Sequence, residues 1–183
     1  MCYAYQKQSG VEVRVARIFN TFGPRMHMAD GRVVSNFILQ SLQNEDITIY
    51  GSGKQTRSFQ YVTDLVDGLI KLMNSDVSSP VNIGNPDEHT ILDFAEIIKT
   101  LVNNNYHASN SMIKHLPANE DDPQMRRPDI SKARKEIEWW PRVPMMMGLE
   151  RTIEYFDNEL KQVERNKPNQ FLPDEHKLNF ERT

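Results

Sequence analysis

The run VEVRVARIF, residues 11 to 19, constrains the fold more than any other stretch of the chain. Val11, Val13 and Val15 alternate with Glu12, Arg14 and Ala16, and β-branched residues dominate, so a strand is expected. A strand leaves a row of backbone donors and acceptors that needs neighbours. The other strand candidates are short: ITIY at 47 to 50, FQYV at 59 to 62, VNIG at 81 to 84 and MIKHL at 112 to 116, the last read as an edge strand. The sheet neighbours of the long strand are therefore expected to come from elsewhere. Both flanks of its ladder would then be unpaired and the isolated chain prone to aggregate.

Helical patterns alternate with these strands. VVSNFILQSLQ carries apolar residues at 33, 34, 37, 38 and 42. Thr63 is expected to cap DLVDGLIKLM, and Thr90 to cap ILDFAEIIKTLV, with Asp93 in the first turn. NNNYHASNS reads as a polar loop. DISKARKEIEW, with Asp129 as its cap, and MGLERTIEYFDNEL form two last helices, separated by Pro141 and Pro144. The run Met145-Met146-Met147 reads as core or a helix start. At the front, MCYAYQKQ reads as the end of a helix stopped at Ser9-Gly10. From Lys161 the chain is charged and Pro-punctuated, which predicts a disordered tail. Strand and helix in alternation argue for an α/β fold.

Composition excludes several classes of function. The chain has 22 basic and 25 acidic residues, a net charge of -3, so a strongly basic nucleic-acid binder is not the default reading. No stretch approaches the roughly 20 apolar residues of a membrane span, so no membrane contact is expected of these residues. The single cysteine, Cys2, cannot form an internal disulfide. The five histidines lack ligand spacing, and no metal site is expected.

Three loops could carry chemistry. In an open α/β sheet, ligands sit beyond the carboxyl ends of the strands. Arg17, Asn20, Thr21 and Gly23 lie at that end of the first strand, although Asn20 and Gly23 would also serve a simple turn. GSGKQTR, residues 51 to 57, has two glycines and two cations, Lys54 and Arg57, that could meet a phosphate. It is not a P-loop, and taken alone a flexible connection with solvated charges is the favoured reading. In DDPQMRRPDI, Arg126 and Arg127 suit bidentate recognition of a phosphate or carboxylate, or else pair with Glu120, Asp121 and Asp122 on the surface.

In combination these segments say more. VARIFNTFGPRMHMADGRVVSNFI, ITIYGSGKQTRSFQYVTDLVDGL, VNIGNPDEHTILDFA and DDPQMRRPDI, in that order, resemble the C-terminal half of the UDP-glucuronate decarboxylases, a branch of the extended short-chain dehydrogenases. The resemblance covers roughly residues 1 to 160. R-x-F-N-x-F-G-P is shared with sugar-nucleotide epimerases and 4,6-dehydratases; GPRMHMADGRVVSNFI and R-x-P-D-I point to the decarboxylases more narrowly. It implies that residues 1 to 24 end a Rossmann domain. Residues 25 to 160 would form mainly the smaller substrate-binding domain, with short returns to the Rossmann sheet, and 161 to 183 a tail. The family's Gly-rich NAD loop and catalytic Tyr-x-x-x-Lys pair would lie before Met1, and MCYAYQKQ resembles the stretch a few residues after that Lys.

The implied reaction oxidises the sugar at C4 with NAD, loses CO2 from the resulting β-keto acid, and returns hydride to give UDP-xylose. Carried over by motif, Asn20 would touch the substrate near its pyrophosphate and reacting sugar, and Thr21 would lie on the nicotinamide side. Tyr5 and Arg32 would contact substrate or cofactor. Val33, Asn36 and Phe37 would hold the nucleotide, Tyr50 would pack on the uracil with Gly51 allowing its approach, and Arg57 would pair with the diphosphate. Arg126, with Asn20, is the candidate catalytic residue of this segment, and Arg127 would stand behind it. The resemblance implies UDP-glucuronate and UDP-xylose as ligands, a homodimer, and a Golgi-lumenal location through an N-terminal anchor, with the cytosol as the alternative. A non-catalytic nucleotide-sugar-binding or dimerising role, or a related epimerase or 4,6-dehydratase, is the competing reading.

Overall fold

A computed structural model describes residues 2–108, 110–118 and 123–165. After helix α1 (Cys2–Ser9), only Ala16–Ile18 (β1) of the long alternating run pairs as a strand. Its partner is β6 (Val81–Ile83), parallel, with Ala16 opposite Val81 and Ile18 opposite Ile83. Pairing is short because β6 is short: Pro80, just before it, has no amide to donate. One flank of the run is thus covered from within the chain, which corrects the expectation of two bare flanks. Val11 and Ile18 remain 50% and 54% exposed.

The remaining elements are β2 (Thr21–Phe22), α2 (Val33–Leu42), β3 (Ile47–Tyr50), β4 (Thr56–Ser58), β5 (Gln60–Tyr61), α3 (Val62–Met73), β7 (Glu88–Thr90), α4 (Ile91–Asn105), β8 (Ile113–Leu116), α5 (Ser131–Glu136) and α6 (Met145–Arg165). β2 pairs parallel with β5 and β3 with β8, while β4 pairs antiparallel with β7. Among the described residues, β8 has a neighbour on one side only, as an edge strand does.

Two buried clusters hold these elements. The larger gathers Phe22, Phe37 and Ile38 of α2, Ile49 of β3, Phe94 and Ile98 of α4, and Leu149, Ile153 and Phe156 of α6. On α6 the buried residues recur at 148, 149, 152, 153 and 156, one face of a 3.6-residue period. Gly148 lies on that face because a Cβ there would sit 2.9 Å from the Tyr61 ring and 3.0 Å from that of Phe22. The smaller cluster joins Leu72 of α3, Val81 and Ile83 of β6, and Ile130, Ala133, Ile137 and Trp139 around α5.

Helix ends differ from expectation in four helices. α3 begins at Val62 with Tyr61 as its cap residue, so Thr63 lies inside the first turn rather than capping it. Strand β5 runs directly into this helix, and Asp64 supplies the negative charge that its N-terminus favours. α4 continues to Asn105, into the run read as a loop, because Leu101 and Val102 anchor its last turns in the core. α5 stops at Glu136, which lets the chain turn so that Trp139 is fully buried. Asp129 stands one residue before the cap position, and its carboxylate accepts from the Ser131 amide at 2.9 Å. The Ser131 side chain and amide hold that carboxyl below its ordinary pKa range. α6 extends to Arg165, so residues 161 to 165 are helix and not tail, with Lys161 paired to Asp157 one turn back at 2.5 Å. The remainder of the expected tail, 166 to 183, falls outside the described residues.

Thr90 does cap α4, its hydroxyl accepting from the Asp93 amide at 3.0 Å. Thr90→Ala should lower unfolding stability by about 1 kcal/mol, whereas Thr90→Ser should leave it nearly unchanged. Denaturant titration of the two variants checks this, and equal midpoints for both would remove the cap from the account.

Candidate functional site

The site begins where β1 ends. The Phe19 amide donates to Ile83 O at 3.0 Å, and the Gln60 amide donates to Asn20 O at 2.9 Å. These two bonds carry the chain across the ends of two parallel ladders, at the carboxyl edge of β1 and β6. Asn20 and Thr21 therefore stand at the strand mouth, where α/β folds place ligands.

They open into a cavity of about 290 Å³. Its walls include Asn20, Thr21, Val33, Phe59 and three cations, Arg32, Arg57 and Arg126, and no carboxylate lines it among the described residues. A net negative chain thus concentrates positive charge at one place, the arrangement expected for an anionic ligand. A second cavity, of about 190 Å³, adjoins the first and shares Gly31, Val33 and Arg57 with it. It is lined by Asn36, Phe37, Ile49, Tyr50 and Gln55 among others, apolar walls with amide groups between them. Such a lining suits a flat heterocycle with hydrogen-bonding edges.

Arg57 is the hinge of the two. It sits on β4 opposite His89 of β7, its side chain is turned inward, and the residue is 7% exposed. Nη1 donates to Thr56 O at 2.7 Å. Lys54, three residues earlier, is exposed, so the two cations weighed together in the sequence part company. Asp30 sets the first turn of α2: its carboxylate accepts from the Arg32 amide at 3.0 Å and from the Ser35 hydroxyl, and Arg32 Nε lies 3.4 Å from it. That pairing draws the largely exposed Arg32 side chain toward the rim of the first cavity.

The structure thus gathers Asn20, Thr21, Arg32, Val33, Arg57 and Arg126 about one cavity, and Val33, Asn36, Phe37, Tyr50 and Arg57 about the next. Tyr5 is not brought there: it is 60% exposed on α1 and lines neither cavity. Nor does Gly51 open toward the second cavity. It has φ +76°, and a Cβ on it would lie 3.2 Å from the Ala118 Cβ, so its part is to turn the chain after β3. Arg127 faces a separate groove of about 410 Å³ beside Pro86, Pro128 and Arg134. The spacing Tyr3-x-x-x-Lys7 occurs on α1, but neither residue lines the two cavities, and the Tyr3 hydroxyl donates to Ser78 O at 3.1 Å. Sequence reasoning missed Phe59, Gln55 and Thr48, whose residue types carry no motif signal.

A mixed α/β fold with an arginine-lined cavity at the strand mouth suits an anionic ligand. The family model described as GDP-mannose 4,6 dehydratase matches residues 1–152, and the chain belongs to that family. It is similar to UDP-glucuronic acid decarboxylase 1 of Danio rerio, 65% identical over 173 residues, which cover 94% of this chain and 40% of that protein. It is also 50% identical over 149 residues to UDP-glucuronic acid decarboxylase 3 of Arabidopsis thaliana, covering 81% of this chain and 42% of that one. The chain thus spans about two fifths of the length of these curated relatives. Among solved structures it resembles UDP-glucose 4-epimerase of Thermotoga maritima with UDP-glucose, at TM-score 0.79 and 26% identity over 86% of this chain and 50% of that one. UDP-glucuronic acid 4-epimerase of Bacillus cereus, in complex with UDP-glucuronic acid and NAD, gives TM-score 0.75 and 26% identity over 88% of this chain and 49% of that one.

Proposed function

We propose that this chain forms the nucleotide-sugar-binding wall of a UDP-glucuronate decarboxylase that converts UDP-glucuronate to UDP-xylose and CO2. The observation that carries the reading is the union of two cavities at Arg57, one cationic and one apolar with amides, in a chain up to 65% identical to decarboxylases. The apolar cavity takes the uracil, with the Tyr50 ring at its mouth. Arg57 takes the diphosphate between the two. Asn20 meets the sugar, and Arg126, exposed at the rim, offers a guanidinium to the sugar carboxylate or the diphosphate.

NAD is the implied cofactor, and the residues present fit its reactive end. The Thr21 hydroxyl and Asn20 amide supply polar groups at the strand mouth, in a cavity sized for a sugar and one ring rather than a whole dinucleotide. Bound there, NAD supplies reversible hydride acceptance. Thr21 and Arg32 are the residues of this chain that would border it. The smaller buried cluster, with β1 and β6, belongs in this reading to the Rossmann domain, and the larger cluster to the substrate-binding domain. Homodimerisation and a Golgi-lumenal location are part of the same proposal, carried by the resemblance in sequence.

The test is carbon balance. The protein carrying this chain, given NAD and UDP-glucuronate labelled at the carboxyl carbon, should release labelled CO2 and form UDP-xylose. An epimerase would retain the label in a uronic acid. Tight binding of UDP-glucuronate with no loss of label would favour the non-catalytic role, and neither binding nor turnover would overturn the reading.

A further inference from the structure

Gln60 contributes nothing to either cavity, yet it touches the strand mouth from every side. It is 1% exposed. Its backbone amide donates to Asn20 O at 2.9 Å. Its side-chain Nε2 donates to Thr21 Oγ1 at 3.0 Å and to Ile83 O at 3.0 Å, with Phe19 O at 3.4 Å. The Thr21 hydroxyl in turn donates to Phe19 O at 2.9 Å. One residue of β5 therefore holds the carbonyl of Asn20, the hydroxyl of Thr21 and the last carbonyl of β6.

The carboxamide is oriented by these acceptors. Two backbone carbonyls cannot donate, so the nitrogen must face them. The oxygen then points away, and Oε1 is buried with no hydrogen-bond partner among the described residues. An unsatisfied buried acceptor is unfavourable and calls for a reason. A methionine or leucine would fill the volume without that cost. What they would lack is the two-hydrogen donor that locks the Phe19–Thr21 segment to β6.

We propose that the Gln60 side chain is a positioning group: by holding Phe19 O and Thr21 Oγ1 on either side of Asn20 it fixes Asn20 and Thr21 in the presenting conformation, and it acts on ligand only through them. The proposal rests on the nucleotide-sugar reading for its ligand but not for its geometry. The test uses Gln60→Met, which keeps length and the backbone bond to Asn20 O but removes the side-chain donors to Thr21, Ile83 and Phe19, and Gln60→Glu, which keeps shape and turns those side-chain donors into acceptors. The first readout is amide exchange in the absence of ligand. Exchange at Phe19, whose amide is bonded to Ile83 O, should accelerate at least tenfold in Gln60→Met, while β3 and α4 stay as in the parent. The second is affinity for two probes, measured on protein that is still folded. UDP-glucuronate, which reaches Asn20, should bind about tenfold more weakly, whereas UMP, which reaches only the base cavity and the first phosphate, should bind as before.

A residue that merely filled space would shift melting and leave the ratio of the two affinities unchanged. An unchanged ratio with unchanged exchange overturns the proposal, and Gln60→Met suffices for that decision if Gln60→Glu does not fold. A parent protein that binds neither probe would instead count against the nucleotide-sugar reading. The exchange readout would then decide the clamp by itself.

Discussion

Replacing Arg57 by Ala should weaken UDP-glucuronate binding by roughly 1.5–3 kcal/mol, the usual range for losing a hydrogen bond to a charged group. At 1.4 kcal/mol per decade that is about 10- to 150-fold in affinity. Arg57 is singled out over Arg32 and Arg126 because of burial. It is 7% exposed and borders both cavities, whereas the other two are exposed at the rim. Solvent and salt screen a rim charge far more than an inward one, so rim arginines should matter less and lose their effect at high ionic strength. Arg57→Lys separates charge from shape: it keeps the cation but loses the planar fork, and should recover only part of the affinity. Calorimetric titration of folded parent and variants with UDP-glucuronate reads the effect. Equal affinities for parent and Arg57→Ala would detach Arg57 from the ligand, whatever the rest of the site does.

How much of this was legible in the sequence depends on what each residue reports through. Apolar periodicity reports through burial, so α2, α3, α4 and α6 were readable; a hydroxyl before an apolar run marked a cap correctly at Thr90 but not at Thr63, because β5 runs directly into α3 and moves its start upstream. Strand length was not readable. The alternation of residues 11 to 19 describes what the run could pair with, but β6 offers only three residues, and a partner's length is written elsewhere in the chain. Lys54 and Arg57 looked equivalent as letters. A turn built on Gly51 and Gly53, both at positive φ, and the pleat of β4 then sent one to solvent and the other inward. Most of the site residues named by resemblance came together because motif order preserves loop geometry. Tyr5 lines neither cavity: it is 60% exposed on α1, a helix with no buried residue. Gln60 had no signal at all, since an amide in a short strand is indistinguishable from a solvated one until its acceptors are placed.

The stability of the strand mouth should depend most on a residue remote from it, Trp139. Its side chain is fully buried in the smaller cluster, and Nε1 donates to Asp64 O of α3 at 3.0 Å. The ring also lies close to Gly68, where a Cβ would come within 3.0 Å of it. Asp64 carries the link onward, since its carboxylate accepts from the Val143 amide at 3.0 Å. Trp139 therefore ties α3, α5 and the segment leading to α6 beneath the β1–β6 ladder. Trp139→Ala should cost about 3–5 kcal/mol, the range for truncating a buried large aromatic. Domains have only about 5–15 kcal/mol in total, so this variant should be largely unfolded or melt far earlier. Trp139→Phe retains much of the ring and loses the indole donor. The lost hydrogen bond alone is about 1 kcal/mol, and the smaller ring adds a partial cavity. The two variants thus rank the terms: packing outweighs the hydrogen bond if Phe rescues most of the loss, and the bond dominates if it does not. Denaturant unfolding of the two variants gives the order. A midpoint for Trp139→Ala equal to the parent's would mean that the smaller cluster unfolds apart from the larger one, and that β1 holds Asn20 in place without it.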